Sequence, residues 1–393
     1  MVWVFVNFFL YCCSWLVPRS RKLAVFGSWC GKQFSDNPKY LLQYVLEHED
    51  CDCVWIGNPE IEQRLPKHPR LRFARFGSFK ANWAALRAKN WFFSQGCQLD
   101  ISPWFVFGGA RMYNLWHGIA FKYMGLRAAS RRTCEKTDVF HRAWRWVLDH
   151  GLSPKSPYWM TTASDSMTEI LCSCAPQWFS SARTLRCGTP RNEFLIRNRD
   201  NAELVAALKR KYATLLGFDP SKKVVLYMPT FRGGAGARVG LGSIVDGLDA
   251  VLLEKHHPIT FARQQTDFPS AAGSILVTPE QSDLIDNPEL YLITDIMIGD
   301  YSSAFFDFSL LKRPVVHYVY DLEEYMTKDA GLAYDIRKIA GGPLVRTEEE
   351  LRETVRRLLA DPKCEPGPDL EGLLVYERGD TCRQICVHCW GAK

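Results

Sequence analysis

Residues 296–312 read IMIGDYSSAFFDFSLLK, and RPVVHY follows at 313–318. A short apolar run ends at Gly299, and the polar group Asp300–Tyr301–Ser302–Ser303 interrupts it. A run carrying Phe305, Phe306, Phe308, Leu310 and Leu311 then continues to Lys312. A brief apolar stretch closed by turn residues predicts a buried strand. Serine just ahead of a helical run predicts an N-cap, and the β-branched pair after Pro314 predicts the next strand. Strand, turn, helix and strand in this order make a βαβ unit, whose two strands must be parallel.

The same alternation extends in both directions. Within the carboxyl-terminal half of the chain, strands are expected at Val224–Met228, Val251–Leu253 and Ile275–Val277, and helices at Ala202–Leu216, Ala304–Lys312 and Glu348–Leu359. Towards the amino end, Lys22–Gly27, Val54–Gly57, Trp91–Ser94, Met112–Trp116 and Leu185–Gly188 read as strands. Asn37–His48 reads as a helix with Pro38 in its first turn. Two such halves, joined around Arg197–Ala202, predict an α/β, GT-B-like protein of two Rossmann-like domains facing across a cleft. Ligands of such sheets bind outside the carboxyl ends of the strands. The expected boundaries are an apolar membrane-associating segment over 1–21, an amino-terminal acceptor domain over 22–200 and a nucleotide-binding domain over 201–360. A linker (DPKCEPGPD, 361–369) follows, and the last residues, to 393, are expected as a short terminal helix or tail.

With 393 residues, 47% of them hydrophobic and 23% charged, the chain can bury large cores without staples and is neither disordered nor collagen-like. Its 14 cysteines follow no repeating frame, so they read as small buried hydrophobes of a reducing, cytoplasmic compartment. Met1 starts directly in an apolar run, and no cleavable signal is expected. The first 17 residues, MVWVFVNFFLYCCSWLV, are uncharged, and Arg19, Arg21 and Lys22 follow. As a helix they reach about 25 Å, short of the ~30 Å hydrocarbon core. They suit either a shallow anchor on the anionic cytoplasmic face or a buried element of the first domain. The net charge of +6 is mild. Between Arg111 and Arg145 lie eight basic residues with Trp144 and Trp146 close by, a stretch that fits a solvated face, an anionic acceptor or a membrane surface. No nucleic-acid module accompanies it, and no nucleic-acid partner is expected.

Four segments carry candidate chemistry. In the opening stretch, Ser302 and Ser303 stand where a cap or an anion site belongs, and Asp307 lies one turn on, within reach of a ribose hydroxyl. Asn114-Leu115-Trp116-His117-Gly118, with Lys122 beyond it, puts a histidine at a strand end beside a glycine that leaves room for substrate. Neutral imidazole there can take a hydroxyl proton, or it can be a hydrogen-bonded structural residue. Lys255-His256-His257-Pro258 ends another strand. Its adjacent histidines point to opposite sides, and no carboxylate or cysteine is expected at ligand spacing, so phosphate contact or protonation of the leaving group, with His257 as a catalytic candidate, fits better than metal. Tyr227 to Arg232 (YMPTFR) leads into GGAGAR, where Thr230, Arg232 and loop amides can hold phosphate, or the glycines can form a simple hairpin. Two other patterns are set aside. Cys382, Cys386 and Cys389 have iron–sulfur spacing but lie in the last dozen residues, and GGAGARVGLG lacks the Lys-Ser/Thr of a P-loop.

Taken in order, these segments resemble the CDP-glycerol glycerophosphotransferase family of teichoic-acid primases and polymerases and their capsule relatives. The resemblance rests on GKQFSDNPKYLLQYV (31–45), NLWHGIAFKYMG (114–125), RCGTPRNEFL (186–195), VLYMPTFR (225–232), the stretch 294–325 and GGPLVRTEEEL (341–351). It implies a GT-B fold with the nucleotide held mainly by the carboxyl-terminal lobe. It also implies His117 as the base, His257 near the nucleotide phosphates, Asp300, Ser302 and Ser303 on phosphate, and Asp307 on the ribose. Gly299, Met228 and Ile119-Ala120 depart from the family's usual threonine, alanine and threonine-proline. The implied reaction transfers glycerol phosphate from CDP-glycerol to a hydroxyl of a lipid-linked saccharide or polymer acceptor. It needs no cofactor and no obligatory metal. A sugar transferase of the same fold, a CDP-ribitol-dependent transferase and a membrane-docked scaffold are the alternatives.

Overall fold

The computed structural model describes residues 2–123, 158–175, 179–230, 241–256, 273–328 and 332–391. The chain divides into two compact units. One comprises Met1–His117, Met124–Glu193 and Val375–Lys393, and the other Gly118–Tyr123 and Phe194–Leu374.

The first unit is built on a seven-stranded sheet. Its strands are β1 (Ser20–Phe26), β2 (Asp52–Gly57), β3 (Leu71–Arg75), β4 (Ala88–Phe93), β5 (Arg111–Asn114), β6 (Tyr158–Thr161) and β7 (Thr184–Leu185), in the order β3-β2-β1-β4-β5-β6-β7. All its pairings are parallel. Ala24, Val25, Phe26, Trp91, Phe92 and Phe93 are fully buried, as expected for central strands covered on both faces. The order reverses between β1 and β4, which puts a crevice beyond their carboxyl ends. Gly27, directly after β1, must be glycine, because a Cβ there would lie 2.0 Å from the carbonyl oxygen of Asp100.

The second unit repeats the plan with six strands: β8 (Lys223–Tyr227), β9 (Ala250–Glu254), β10 (Ser274–Leu276), β11 (Ile296–Gly299), β12 (Val315–Tyr318) and β13 (Leu344–Val345). They run in the order β10-β9-β8-β11-β12-β13, again all parallel, with the reversal between β8 and β11. The helix Glu348–Ala360 opens on a reciprocal capping box between Thr347 and Glu350 and packs Leu351, Val355 and Leu358 into this unit's core.

Several sequence expectations change. The helix expected over Ala304–Lys312 ends at Ser309, and Lys312 takes a left-handed φ of 55° before Pro314. β3, β6 and β13 are additional strands. The last residues form the expected short terminal helix, and from Val375 onward the chain returns to the first unit. The helix Thr381–Trp390 buries Cys382, Ile385, Cys386 and Cys389 in the same core as Cys51, Cys53 and Cys187. At the other end, the helix Val2–Ser14 docks on the first unit: Asn7 accepts a hydrogen bond from the Phe105 amide (3.0 Å), and the Ser14 hydroxyl accepts one from the Gly108 amide (2.8 Å). Among the described residues, no helix is long and apolar enough to cross a membrane.

Candidate active site

In the first unit, the site grows around His117, three residues past the end of β5. Its Nδ1 lies 3.2 Å from the carbonyl oxygen of Ser94, which follows β4. A carbonyl only accepts, so Nδ1 carries the proton and Nε2 is left with its lone pair. The imidazole stacks on Trp116 (centroids 4.6 Å apart, 25°) and has Trp29 at 6.4 Å. Burial pulls its pKa below the ordinary histidine value, partly countered by the charge of Asp36 and the Ser94 carbonyl. It is therefore neutral at physiological pH, the state a general base requires.

The segment carrying this histidine is held from several sides. Trp116 has a left-handed φ of 56°, and the Asn114 side chain accepts from its amide (2.9 Å). The Asn37 side-chain amide donates to the carbonyls of both Leu115 and Trp116 (2.9 Å each) and accepts from the Arg191 amide (3.0 Å). Asp36, itself left-handed at φ 65°, forms a 2.8 Å ion pair with Arg191, and both side chains are nearly buried. Ser94 is fixed in turn by Asp100, a buried carboxylate that accepts from the amides of Ser94 (3.0 Å), Gln95 (2.7 Å) and Cys30 (2.7 Å). Asp36, Asn37, Asp100 and Arg191 were not singled out from the sequence. Asp36 and Asn37 lie in the segment 31–45 and Arg191 in the segment 186–195, both of which carried the family resemblance, whereas Asp100 lies in neither.

In the second unit, Asp300 and Thr230 meet across the β8–β11 reversal. Both Asp300 carboxylate oxygens lie 2.9 Å from the Thr230 amide, and Asp300 is buried. A carboxylate so placed clamps two strand-end loops together. Ser302 and Ser303 are partly exposed. The Ser302 hydroxyl accepts from the Ala304 amide (3.3 Å), while Ser303 occupies the N-cap position without a side-chain cap bond. The helix Ala304–Ser309 that they precede is only six residues long, and Asp307 within it is buried. Tyr301 stacks on Tyr325 (4.0 Å), and the Lys122 ammonium sits 5.6 Å above the Tyr325 ring. The segment after Gly118 thus brings Lys122 beside Tyr325, which stacks on Tyr301 of the serine loop.

At the end of β9, His256 is buried 3.6 Å from Glu254, whose other oxygen accepts from the Leu241 amide (3.1 Å). A carboxylate therefore does stand beside this histidine, because residues two apart on a strand share a face. Among the described residues, no group of three or more His, Cys, Asp or Glu side chains is arranged to hold a metal ion. Lys255 is buried on the opposite face, and desolvation pushes its pKa down to about 8. His257, Arg232 and most of the basic stretch between Arg111 and Arg145 lie outside the described residues.

Two doubly wound parallel sheets, one bearing a tautomer-fixed histidine at a strand end and the other a serine loop, define an α/β group-transfer enzyme. The family model for CDP-Glycerol:Poly(glycerophosphate) glycerophosphotransferase matches residues 9–365, and the chain belongs to that family. It is 30% identical to the teichoic acid poly(glycerol phosphate) polymerase of Bacillus spizizenii, over 96% of this chain and 94% of that one. It is also 30% identical to the teichoic acid glycerol-phosphate transferase of Staphylococcus aureus, over 86% and 84% of the two chains. The fold matches the structure of the wall teichoic acid polymerase TagF with a TM-score of 0.69 at 19% identity, covering 98% of this chain and 93% of that one.

Proposed function

We propose that His117 Nε2 is the general base of a glycerol-phosphate transfer from CDP-glycerol in teichoic-acid or capsule-like polymer synthesis. The acceptor hydroxyl gives its proton to Nε2 as its oxygen attacks the distal phosphorus. The bond from that phosphorus to the bridging oxygen breaks, and CMP leaves with the electron pair. Ser302, Ser303, Lys122 and the Thr230 loop, with Arg232 and His257 beyond the described residues, offset charge on the phosphates, the main demand of phosphoryl transfer. Asp307 is assigned to the ribose. The first unit takes the acceptor and the second the nucleotide.

The observation that carries this reading is the fixed tautomer of His117. Its test is CMP release from CDP-glycerol with a lipid-linked disaccharide acceptor, beside His117→Ala. Release that depends on both acceptor and histidine is expected, and a fully active alanine variant would remove His117 from the chemistry. A parallel assay with CDP-ribitol defines the donor.

The acceptor is membrane-linked in this reading, and the protein works peripherally at the cytoplasmic face. Support comes from the outer side of the first helix and its exit, where Phe9 is 66% and Leu16 83% exposed alongside Phe8 and Trp15, while Asn7 and Ser14 hold the inner side. Alkaline or high-salt washing of isolated membranes should release the protein. Recovery in the soluble fraction before any wash would count against membrane docking.

A further inference from the structure

His317 occupies the middle of β12, in register with Gly299 of β11, and is completely buried. The Gly341 amide donates to its Nε2 at 2.9 Å. An amide N–H cannot accept, so Nε2 is unprotonated and the proton resides on Nδ1. Nδ1 lies 3.3 Å from the carbonyl oxygen of Asp300, the first residue of the serine loop. One imidazole thus joins two segments otherwise separated by some forty residues. The Phe305 ring packs edge-on against it at 4.6 Å.

The Gly341 side of this link is itself rigid. A Cβ on Gly342 would lie 2.0 Å from the Val315 carbonyl oxygen, so the turn can run against β12 only as glycine. The His317 amide donates to Pro343 (2.9 Å), which closes the turn onto the strand. The Asp300 carboxylate is meanwhile held by the Thr230 amide. The serine loop is therefore tethered through its Asp300 side chain to the β8 end and through its Asp300 main chain to β12.

We propose that His317 is a positioning residue for donor binding: as a neutral Nδ1–H imidazole anchored on the Gly341 turn, it sets the Asp300 carbonyl and so the aim of Ser302 and Ser303. This rests on the reading that the serine loop receives the phosphates of CDP-glycerol. Burial drives the His317 pKa down to about 4, so the neutral form persists throughout the working pH range. The side chain touches neither donor nor acceptor in this role.

The test is steady-state CMP release with CDP-glycerol varied at saturating acceptor, alongside thermal unfolding, for His317→Phe, His317→Asn, His317→Gln and Ser302→Ala. The phenylalanine keeps the ring against Phe305 but offers Asp300 no donor. It should raise KM for CDP-glycerol about tenfold or more, with kcat within about threefold, because an unmet buried carbonyl is costly. Asparagine places an N–H near the Nδ1 position and should restore KM to within about threefold of wild type. Glutamine, which mimics only Nε2, should not. An unchanged KM in the phenylalanine variant, or equal KM values for asparagine and glutamine, would overturn the proposal. If the phenylalanine variant does not fold, the asparagine–glutamine order still decides. Failure of the underlying reading has a different signature: a wild-type protein that releases no CMP, or a Ser302→Ala variant with the donor KM of wild type.

Discussion

Nε2 of His117 can take a proton because Nδ1 is engaged by Ser94, and Ser94 is in place because Asp100 gathers three backbone amides around it. Removing the imidazole should lower turnover by about 10²–10⁴ with the fold intact, as loss of a general base does. The acid limb of kcat/KM should fall below the unperturbed histidine value of about 6.5, because burial lowers this pKa and the base form persists to lower pH. Asp36 acts in the opposite direction, since its negative charge favours the imidazolium. Asp36→Asn removes that charge and leaves Arg191 unopposed, so the acid limb should move further towards low pH. A shift towards high pH would show that Asp36 does not act on His117 through charge.

At the scale of elements, the decisive connections join one strand end to another. Asp300→Asn retains a single acceptor for the Thr230 amide and loses the charge, which should cost about 1–3 kcal/mol in denaturant unfolding and raise KM for the donor. Unchanged stability would mean that the β8 and β11 loops are held by other contacts. Thr347→Ala, at the capping box of the helix Glu348–Ala360, should cost about 1 kcal/mol without touching catalysis. The central strands were legible in the sequence because two covered faces demand unbroken apolar runs such as LAVF and WFF. β3 was not, since LRFAR is an edge strand whose exposed Arg72 and Arg75 break the apolar run, and the two-residue β13 is too short to show a period. The histidine and serine motifs were legible from their place after strands. Their supports were not, because Asp36 with Arg191 and Cys30 with Asp100 become neighbours only when distant segments pair.

Over the whole molecule, the cysteines divide by depth. Among the described residues, Cys12, Cys30 and Cys364 are exposed, whereas Cys51, Cys53, Cys187, Cys382, Cys386 and Cys389 share one core, and burial raises the thiol pKa of Cys187, Cys382 and Cys389. Brief alkylation of the native protein should modify the three exposed thiols, and the six core thiols should react only after denaturation. Rapid native labelling of Cys386 would show that the last helix detaches.

That helix also governs the order in which the protein can be finished. The first unit breaks off at Glu193 and resumes at Val375, and its core is closed by Thr381–Trp390, where the Thr381 hydroxyl bonds the Cys187 carbonyl and the Cys382 amide bonds Glu193. At ~5–20 residues per second, roughly ten to forty seconds of synthesis separate the two parts. The earlier unit must wait on the ribosome with its cysteine-lined seam open, while the later-made unit, apart from its short segment Gly118–Tyr123, already has everything it needs to fold. A chaperone that shields apolar seams during translation would serve the first half of this chain longest.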